Sequence, residues 1–395
     1  MVKCKDNNVD KELPPQNSSF WRSVRGDRSI WVIILLLSMI SLAAVYSSSS
    51  SLAFREGKTA FFFLLKQLRF VIFGLTILYL CHRIPLGWYR VLAIPGIIFS
   101  FLMLVITIFA GTTLNDGTRW LYLFGLSFQP SEVAKIALIL FMSKVIEDRK
   151  FQTFREFMIY LIFPVASLCV LILWGSVSAG VMLGGVALML LIIAGISAKY
   201  VFRVITIFIA GLVVVVALAM WTPLFSRIET AAHRFSSFVD DEKGDSFQAN
   251  QAKIAIASAG VIGKGPGNST QRHILPHPYS DFIYATIVEE YGILGGVAVM
   301  LLFIWFFYRS YLIANKCTRN FSSLLVIGLG MMIVFQAMLH MGVNVGLLPV
   351  TGQTLPLVSL GGTSFVVMSA AFGIILSVSR TIEKKVIEEN VEGVS

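Results

Sequence analysis

The chain has 395 residues, 56% of them hydrophobic and only 14% charged, with a formal net charge of +10. A soluble protein carries about a quarter of its residues charged, so this balance excludes an ordinary water-soluble domain. The basic residues are spread along the chain and form no concentrated patch, which excludes a nucleic-acid interface.

Apolar runs of ~18 residues or more can cross a bilayer. In chain order they fall at 30–48, 67–82, 89–110, 132–147, 157–174, 178–197, 201–220, 282–308, 322–342 and 356–379, about ten in all. Backbone groups cannot be left bare in lipid, so each run is expected to be a helix. The fold class is therefore all-α and polytopic. One membrane domain, 30–379, lies between an N-terminal tail, 1–29, and a C-terminal tail, 380–395, with a large loop, 221–280, between spans seven and eight. No small-residue cleavage site follows the first span, which runs through Val45-Tyr46-Ser47-Ser48 into a Ser-rich loop, so it is not a cleavable signal. Cys4, Cys81, Cys169 and Cys317 are scattered and give neither a disulfide framework nor a metal spacing.

Basic residues accumulate in alternate short loops: Arg22, Arg25 and Arg28; Arg83 and Arg90; Lys144, Arg149, Lys150 and Arg155; Lys199 and Arg203; Arg309, Lys316 and Arg319; Lys384 and Lys385. This positive-inside bias puts both termini in the cytoplasm. Two loops on the other side break the pattern. Loop 221–280 carries Arg227, Arg234, Lys253, Lys264 and Arg272, and loop 111–131 carries Arg119. Long translocated loops escape the charge rule, and this much positive charge suggests an anionic ligand on the outer face.

Pro130 suits the first turn of the fourth helix, and Glu132 sits where the helix dipole favours an anion. Glu132 and Lys135 share a helix face; they read either as a structural ion pair or as the lining of a polar cavity. In the long loop, 225–238 has the spacing of an interfacial helix, and Asp240 to Glu242 form an acidic run without calcium-ligand spacing. Ser246 to Ala259 reads as a short helix closed by Gly260, with Gln248, Gln251 and Lys253 on its polar side.

The most informative stretch is Gly263 to Glu290, GKGPGNSTQRHILPHPYSDFIYATIVEE. Gly263, Gly265 and Gly267 lack the strand and the Gly-Lys-Ser/Thr ending of a nucleotide loop. His273 and His277 have no third ligand at zinc spacing. Asp281 stands where loop meets helix and is either an N-cap or a functional carboxylate. In the second reading Asp281, Ala285 and Glu289 form one face, a carboxylate ladder descending ~12 Å beside Lys135. Charge at the mouth of a membrane helix is costly and usually marks a site.

At these residues the chain resembles the SEDS family of shape, elongation, division and sporulation proteins (FtsW/RodA/SpoVE), its division branch more than its elongation branch. The motifs are R-W-L…F-Q-P-S-E-x-A-K at Arg119 to Lys135, R-x-x-x-F…Q-x-x-Q at Arg234 to Gln251, and G-x-G-x-G-N-S-x-Q at Gly263 to Gln271. They continue with L-P…D-F-I-Y-A…E-E-x-G at Leu275 to Gly292 and L-P-V-T-G-Q-T-L-P-L-V-S-L-G-G-T-S at Leu348 to Ser364. The resemblance implies a peptidoglycan glycosyltransferase of the bacterial cytoplasmic membrane, at the division septum, with Asp281 as its catalytic residue. It implies lipid II as substrate, and a class B penicillin-binding protein (a transpeptidase), other divisome membrane proteins and membrane lipid as partners. Two segments depart from the family. The family's Pro-Glu-Ala-His-Thr is Pro276-His277-Pro278-Tyr279-Ser280 here, and its Gln-Pro-Asp-Leu-Gly-Thr is Trp174 to Ala179, so roles of that Glu, His and Asp do not carry over. Its Gln-Lys is Gln271-Arg272.

Such a reaction needs a base at the acceptor hydroxyl and positive charge on the departing pyrophosphate. Asp281 fits the base, and Arg119, Lys135, Arg234, Lys253 and Arg272 are candidates for the charge. Glu132, Gln248, Gln251, Asn268, Gln271, Glu289 and Glu290 complete the candidate substrate-binding set. No tightly bound cofactor is expected. A divalent cation, Mg or Mn, held by Asp281 against pyrophosphate is an alternative role for the same carboxylate. Competing readings are a flippase for lipid II and a non-catalytic scaffold for a transpeptidase.

Overall fold

The computed structural model describes residues 25–114, 117–123, 126–221, 247–275 and 278–392. Each expected span coincides with a long helix: α1 Arg28–Ser48, α2 Ala60–Arg83, α3 Leu86–Ala110, α4 Pro130–Asp148, α5 Phe154–Gly175, α6 Val177–Ile193, α7 Ala198–Trp221, α9 Ile283–Asn315, α10 Asn320–Asn344 and α11 Gly362–Glu392, with a short α8, Phe247–Ala257, inside the long loop. Seven of them, α1, α2, α3, α5, α9, α10 and α11, are long and apolar enough to cross a membrane by length and composition. The helix starts follow local chemistry. Asp27 caps α1, accepting from Ser29 N at 2.9 Å, and also pairs with Arg309 of α9. Pro130 opens α4, where its missing N–H costs nothing.

Loop 111–131 contains a small antiparallel sheet of β1 Thr112–Leu114, β2 Gly117–Leu123 and β3 Leu126–Phe128, with Thr113 opposite Thr118 and Tyr122 opposite Ser127. Its β-branched and aromatic residues suit strands, and it packs against α3 and α4.

α10 is the central helix: 83% of its apolar window is buried, against 28% for α2, α3 and α9. The outer helices turn large apolar residues such as Leu35, Met39, Ile98, Phe109 and Trp305 outward, as lipid-facing surfaces do. α2 and α11 approach so closely that a Cβ at Gly373 would lie 2.5 Å from the Leu78 carbonyl, the small-residue contact that lets membrane helices pack tightly.

α9 is broken at Gly292, whose φ of 73° and ψ of −176° leave the helical region. The break frees backbone groups that hydrocarbon would penalise, and the glycine loop takes them. Lys264 N donates to Glu289 O at 3.0 Å and Gly265 N to Glu290 O at 2.9 Å, while Ile293 N donates to Gly260 O at 3.1 Å and Leu294 N to Val261 O at 3.3 Å. Only glycine fits this clasp: a Cβ at Gly263 would sit 2.3 Å from Glu290 O, and one at Gly292 2.1 Å from Val261 O.

Candidate functional site at the start of the ninth helix

The chain enters α9 through a turn whose three carbonyls are each held from outside. Tyr279 O accepts from Leu360 N at 2.9 Å, Ser280 O from Ser359 Oγ at 2.7 Å and Asp281 O from Asn344 Nδ2 at 3.2 Å. The helix starts at Ile283, and Asn344 Oδ1 accepts from Ala285 N at 3.0 Å, so a residue of α10 caps the first turn. Among the described residues none hydrogen-bonds to the Asp281 carboxylate. Asp281 is half-buried and within electrostatic reach of His340. Capping therefore does not account for this carboxylate.

The loop 355–360 that grips the turn is itself strained. Leu357 has a φ of 57°, a conformation that costs a non-glycine residue ~1–2 kcal/mol. It is held by the Val358 carbonyl, which accepts from Ser41 Oγ at 2.9 Å, and Ser41 Oγ in turn accepts from Gln67 Nε2 at 2.7 Å. Strain retained by surrounding contacts is characteristic of functional sites.

One face of α10 carries Gln336, His340 and Asn344, four residues apart and all buried. Lys135, 0% exposed, donates from Nζ to Glu132 Oε1 and to Gln336 Oε1, each at 2.7 Å. Glu132, 5% exposed, accepts from Ser364 Oγ at 3.3 Å, and Gln336 Nε2 donates to Thr354 O at 3.0 Å. His340 Nδ1 bonds Gln353 O at 2.8 Å, which makes Nδ1 the protonated nitrogen of the neutral ring, and Nε2 has no partner among the described residues. Where the family's Asp would stand, Ser176 accepts from Ala179 N at 3.4 Å and caps α6, and two residues on Ser178 donates to Thr351 O at 3.1 Å. Along α10, Gln336 and Asn344 are ~12 Å apart, which sets the spacing between the Lys135 ammonium and the Asp281 turn.

Glu289 and Glu290 form a separate cluster. Glu289 is 0% exposed and accepts from Lys264 Nζ at 2.6 Å, Thr270 Oγ1 at 2.8 Å, Thr270 N at 3.0 Å, Gln271 N at 3.3 Å and the Ser269 hydroxyl. Glu290 accepts from the Ser47 hydroxyl, and Arg272 Nη1 lies 3.9 Å from it and 3.3 Å from Ser47 O. The carboxylate ladder is thus not formed: Asp281 lies before the helix, and Glu289 spends its oxygens on the glycine loop. Lys135 and Glu289 belong to different networks.

The remaining candidates are dispersed. Asn268 donates to Lys264 O at 3.1 Å and shapes the loop. Gln271 Oε1 is buried without a partner among the described residues. Gln248 and Lys253 are exposed on α8 and Gln251 half-buried, while Ala252 and Ala255 on its other side pack with Leu275, Phe282 and Ala285. A Cβ on Gly346 would touch the Lys253 stem. Arg119 sits in β2. Arg234, the helix expected at 225–238, Asp240 to Glu242 and His277 lie outside the described residues. Sequence reasoning missed Gln336, His340, Asn344, Ser359 and Ser364. The signal was available for three of them, as polar residues at i, i+4 and i+8 of an otherwise apolar helix.

Comparison with known proteins follows the same lines. The model of the cell cycle protein family FtsW/RodA/SpoVE matches residues 27–384. The chain is 34% identical over 373 residues to "Probable peptidoglycan glycosyltransferase FtsW" of Thioalkalivibrio sulfidiphilus (strain HL-EbGR7), covering 91% of each chain. It is 31% identical over 364 residues to "Stage V sporulation protein E" of Bacillus subtilis (strain 168), covering 90% of this chain and 97% of that one. Its fold matches a chain of a peptidoglycan synthase complex that coordinates polymerization and crosslinking, with a TM-score of 0.72 at 24% identity, covering 90% of this chain and 98% of that chain. It also matches the rod shape determining protein RodA of Thermus thermophilus, with a TM-score of 0.66 at 22% identity, covering 90% and 97%. A family match over nearly the whole chain, on a polytopic helical membrane fold, makes this protein a member of the FtsW/RodA/SpoVE family.

Proposed function

We propose that this protein is a peptidoglycan glycosyltransferase that polymerises lipid II, with Asp281 as general base. The single observation that supports this most is the Asp281 carboxylate. Its backbone is fixed by three held carbonyls, yet the carboxylate accepts no hydrogen bond among the described residues. Fixed geometry with an unspent charge is what proton abstraction needs.

In the proposed reaction the 4-hydroxyl oxygen of the acceptor sugar attacks the anomeric carbon of the donor. The bond from that carbon to the pyrophosphate oxygen breaks, and its electron pair leaves with undecaprenyl pyrophosphate. The hydroxyl proton passes to Asp281. One carboxylate and no enzyme nucleophile give single displacement with inversion. Positive charge on the leaving group is supplied by exposed cations such as Lys253, with Arg119, Arg234 and Arg272 as further candidates. Lys135 is buried and paired, and with Glu132 it serves to hold α4, α10 and the 353–364 segment in register. Glu289 and Glu290 position the glycine loop, and bring Gln271 and Arg272 with it. A Mg or Mn ion fits a site of one carboxylate completed by substrate phosphates. In that alternative role Asp281 would hold the ion in place of taking the proton, and the ion would neutralise pyrophosphate charge.

The protein works at the cytoplasmic membrane, at the division septum, with both termini in the cytoplasm and α8 outside. Its partners are a class B penicillin-binding protein and other divisome membrane proteins. A cysteine replacing the exposed Ser258 is expected to react with an impermeant thiol reagent on intact spheroplasts; labelling only after lysis would reverse the orientation. The decisive test of function is polymerisation of pure lipid II by the pure protein, with and without its transpeptidase partner. Glycan strands are expected from the wild type and none from Asp281→Asn. Equal synthesis by both would remove Asp281 from the chemistry, and no synthesis by either would favour a flippase or a scaffold.

A further inference from the structure

At the far end of α4, 18 residues beyond Pro130 and so ~27 Å from it, a cavity of about 370 Å³ opens between the ends of four helices. Its polar lining is Arg149, Lys150, Ser197, Tyr200, Asn320 and Ser323, and among the described residues no carboxylate lines it. The acids nearest in sequence are committed elsewhere. Asp148 and Glu147 pair with Arg90, Glu147 also accepts from Phe321 N at 3.2 Å, and Glu156 accepts from Gln152 N at 3.1 Å. The Arg149 guanidinium is stacked on Tyr160, 3.7 Å from the ring centroid. That stacking fixes the plane of the guanidinium and leaves its in-plane donors available for an oxyanion. Two helix starts, Asn320 of α10 and Ser197 before α7, meet the two helix ends of α4 and α6 there, so the helix dipoles offset and the positive charge is that of Arg149 and Lys150. Phe151 and Ile196 give the cavity an apolar flank.

We propose that this cavity binds the phosphodiester of an anionic phospholipid. Two cations, with no carboxylate among the described lining residues, select a net negative oxyanion. The apolar flank of Phe151 and Ile196 selects one carried on acyl chains, as basic pockets between membrane helices do. The assignment is independent of the chemistry at Asp281.

The test uses the full chain in neutral detergent, with binding of short-chain phosphatidylglycerol measured by calorimetry. Short-chain phosphatidylcholine and inorganic phosphate are the comparison ligands. Arg149→Gln/Lys150→Gln removes two charges, each worth roughly a factor of five in affinity. About thirtyfold weaker phosphatidylglycerol binding is expected, at an unchanged unfolding midpoint because both side chains are exposed. Arg83→Gln/Lys384→Gln removes the same charge outside the cavity and is expected to leave binding unchanged. Equal weakening by the two double variants, or none by the first, would overturn the site. Phosphatidylcholine binding as tightly would overturn its selectivity for net charge. Inorganic phosphate displacing the lipid at equal concentration would reassign the site to a free phosphate.

Discussion

Asp281 and Glu289 lie eight residues apart in the chain, and their surroundings are opposite. Glu289 is sealed from solvent and accepts hydrogen bonds from Lys264, Ser269, Thr270 and Gln271. Asp281 is half-buried, and among the described residues only its backbone is tied down. A carboxylate with every lone pair occupied has nothing left to offer a substrate; its work is to hold a loop still. A carboxylate held by its backbone alone keeps its charge for another molecule. Local sequence made these two residues look alike, because both are acidic residues at the mouth of the same span.

Variants can break or sharpen this contrast. Asp281→Asn is expected to lower the rate of lipid II polymerisation roughly 10²–10⁴-fold while leaving the thermal unfolding midpoint unchanged; a large fall in the midpoint would make Asp281 structural. Lys135→Met leaves Glu132 buried without its counterion and is expected to cost ~3–5 kcal/mol in stability, measured as folded yield and unfolding midpoint. Glu132→Gln/Lys135→Met is then expected to recover yield but not turnover, and full turnover in the double variant would show that the register of the site does not depend on the pair. Glu289→Gln weakens charge-assisted bonds worth ~1.5–3 kcal/mol each and is expected to raise KM for lipid II more than it lowers kcat. A selective kcat loss would move Glu289 into the chemistry. Asn344→Ala removes the cap of α9 and one carbonyl clamp, for ~1–2 kcal/mol; the expected signature is a modest drop in midpoint with slower turnover.

The long helices were legible because the bilayer imposes one rule on every span, and apolar length alone reports it. The start of α4 at Pro130 and the stop of α8 before Gly260, which has a φ of 65°, were legible from capping chemistry. The β-ribbon after α3 was not, since three short strands leave no periodicity long enough to separate from a loop. The Asp281–Ala285–Glu289 ladder failed for a related reason. Spacing by four assumes a continuous helix, and the turn keeps Asp281 outside it. The clamps on Asp281 join residues more than 60 positions apart, such as Ser280 with Ser359 and Asp281 with Asn344. Tertiary pairing of that kind leaves no local trace except polar residues in an apolar helix, which Gln336, His340 and Asn344 are.

The break at Gly292 has a consequence for how this protein tolerates change. The four backbone bonds between residues 260–265 and 289–294 fix the end of the long loop to α9, so the register of everything from Gly260 to Asp281 is set by that seam. Residues inserted or deleted between Trp221 and Phe247 fall upstream of it. The length of the loop is thereby insulated from the geometry of the carboxylate, whereas a residue inserted or deleted inside the seam would shift it.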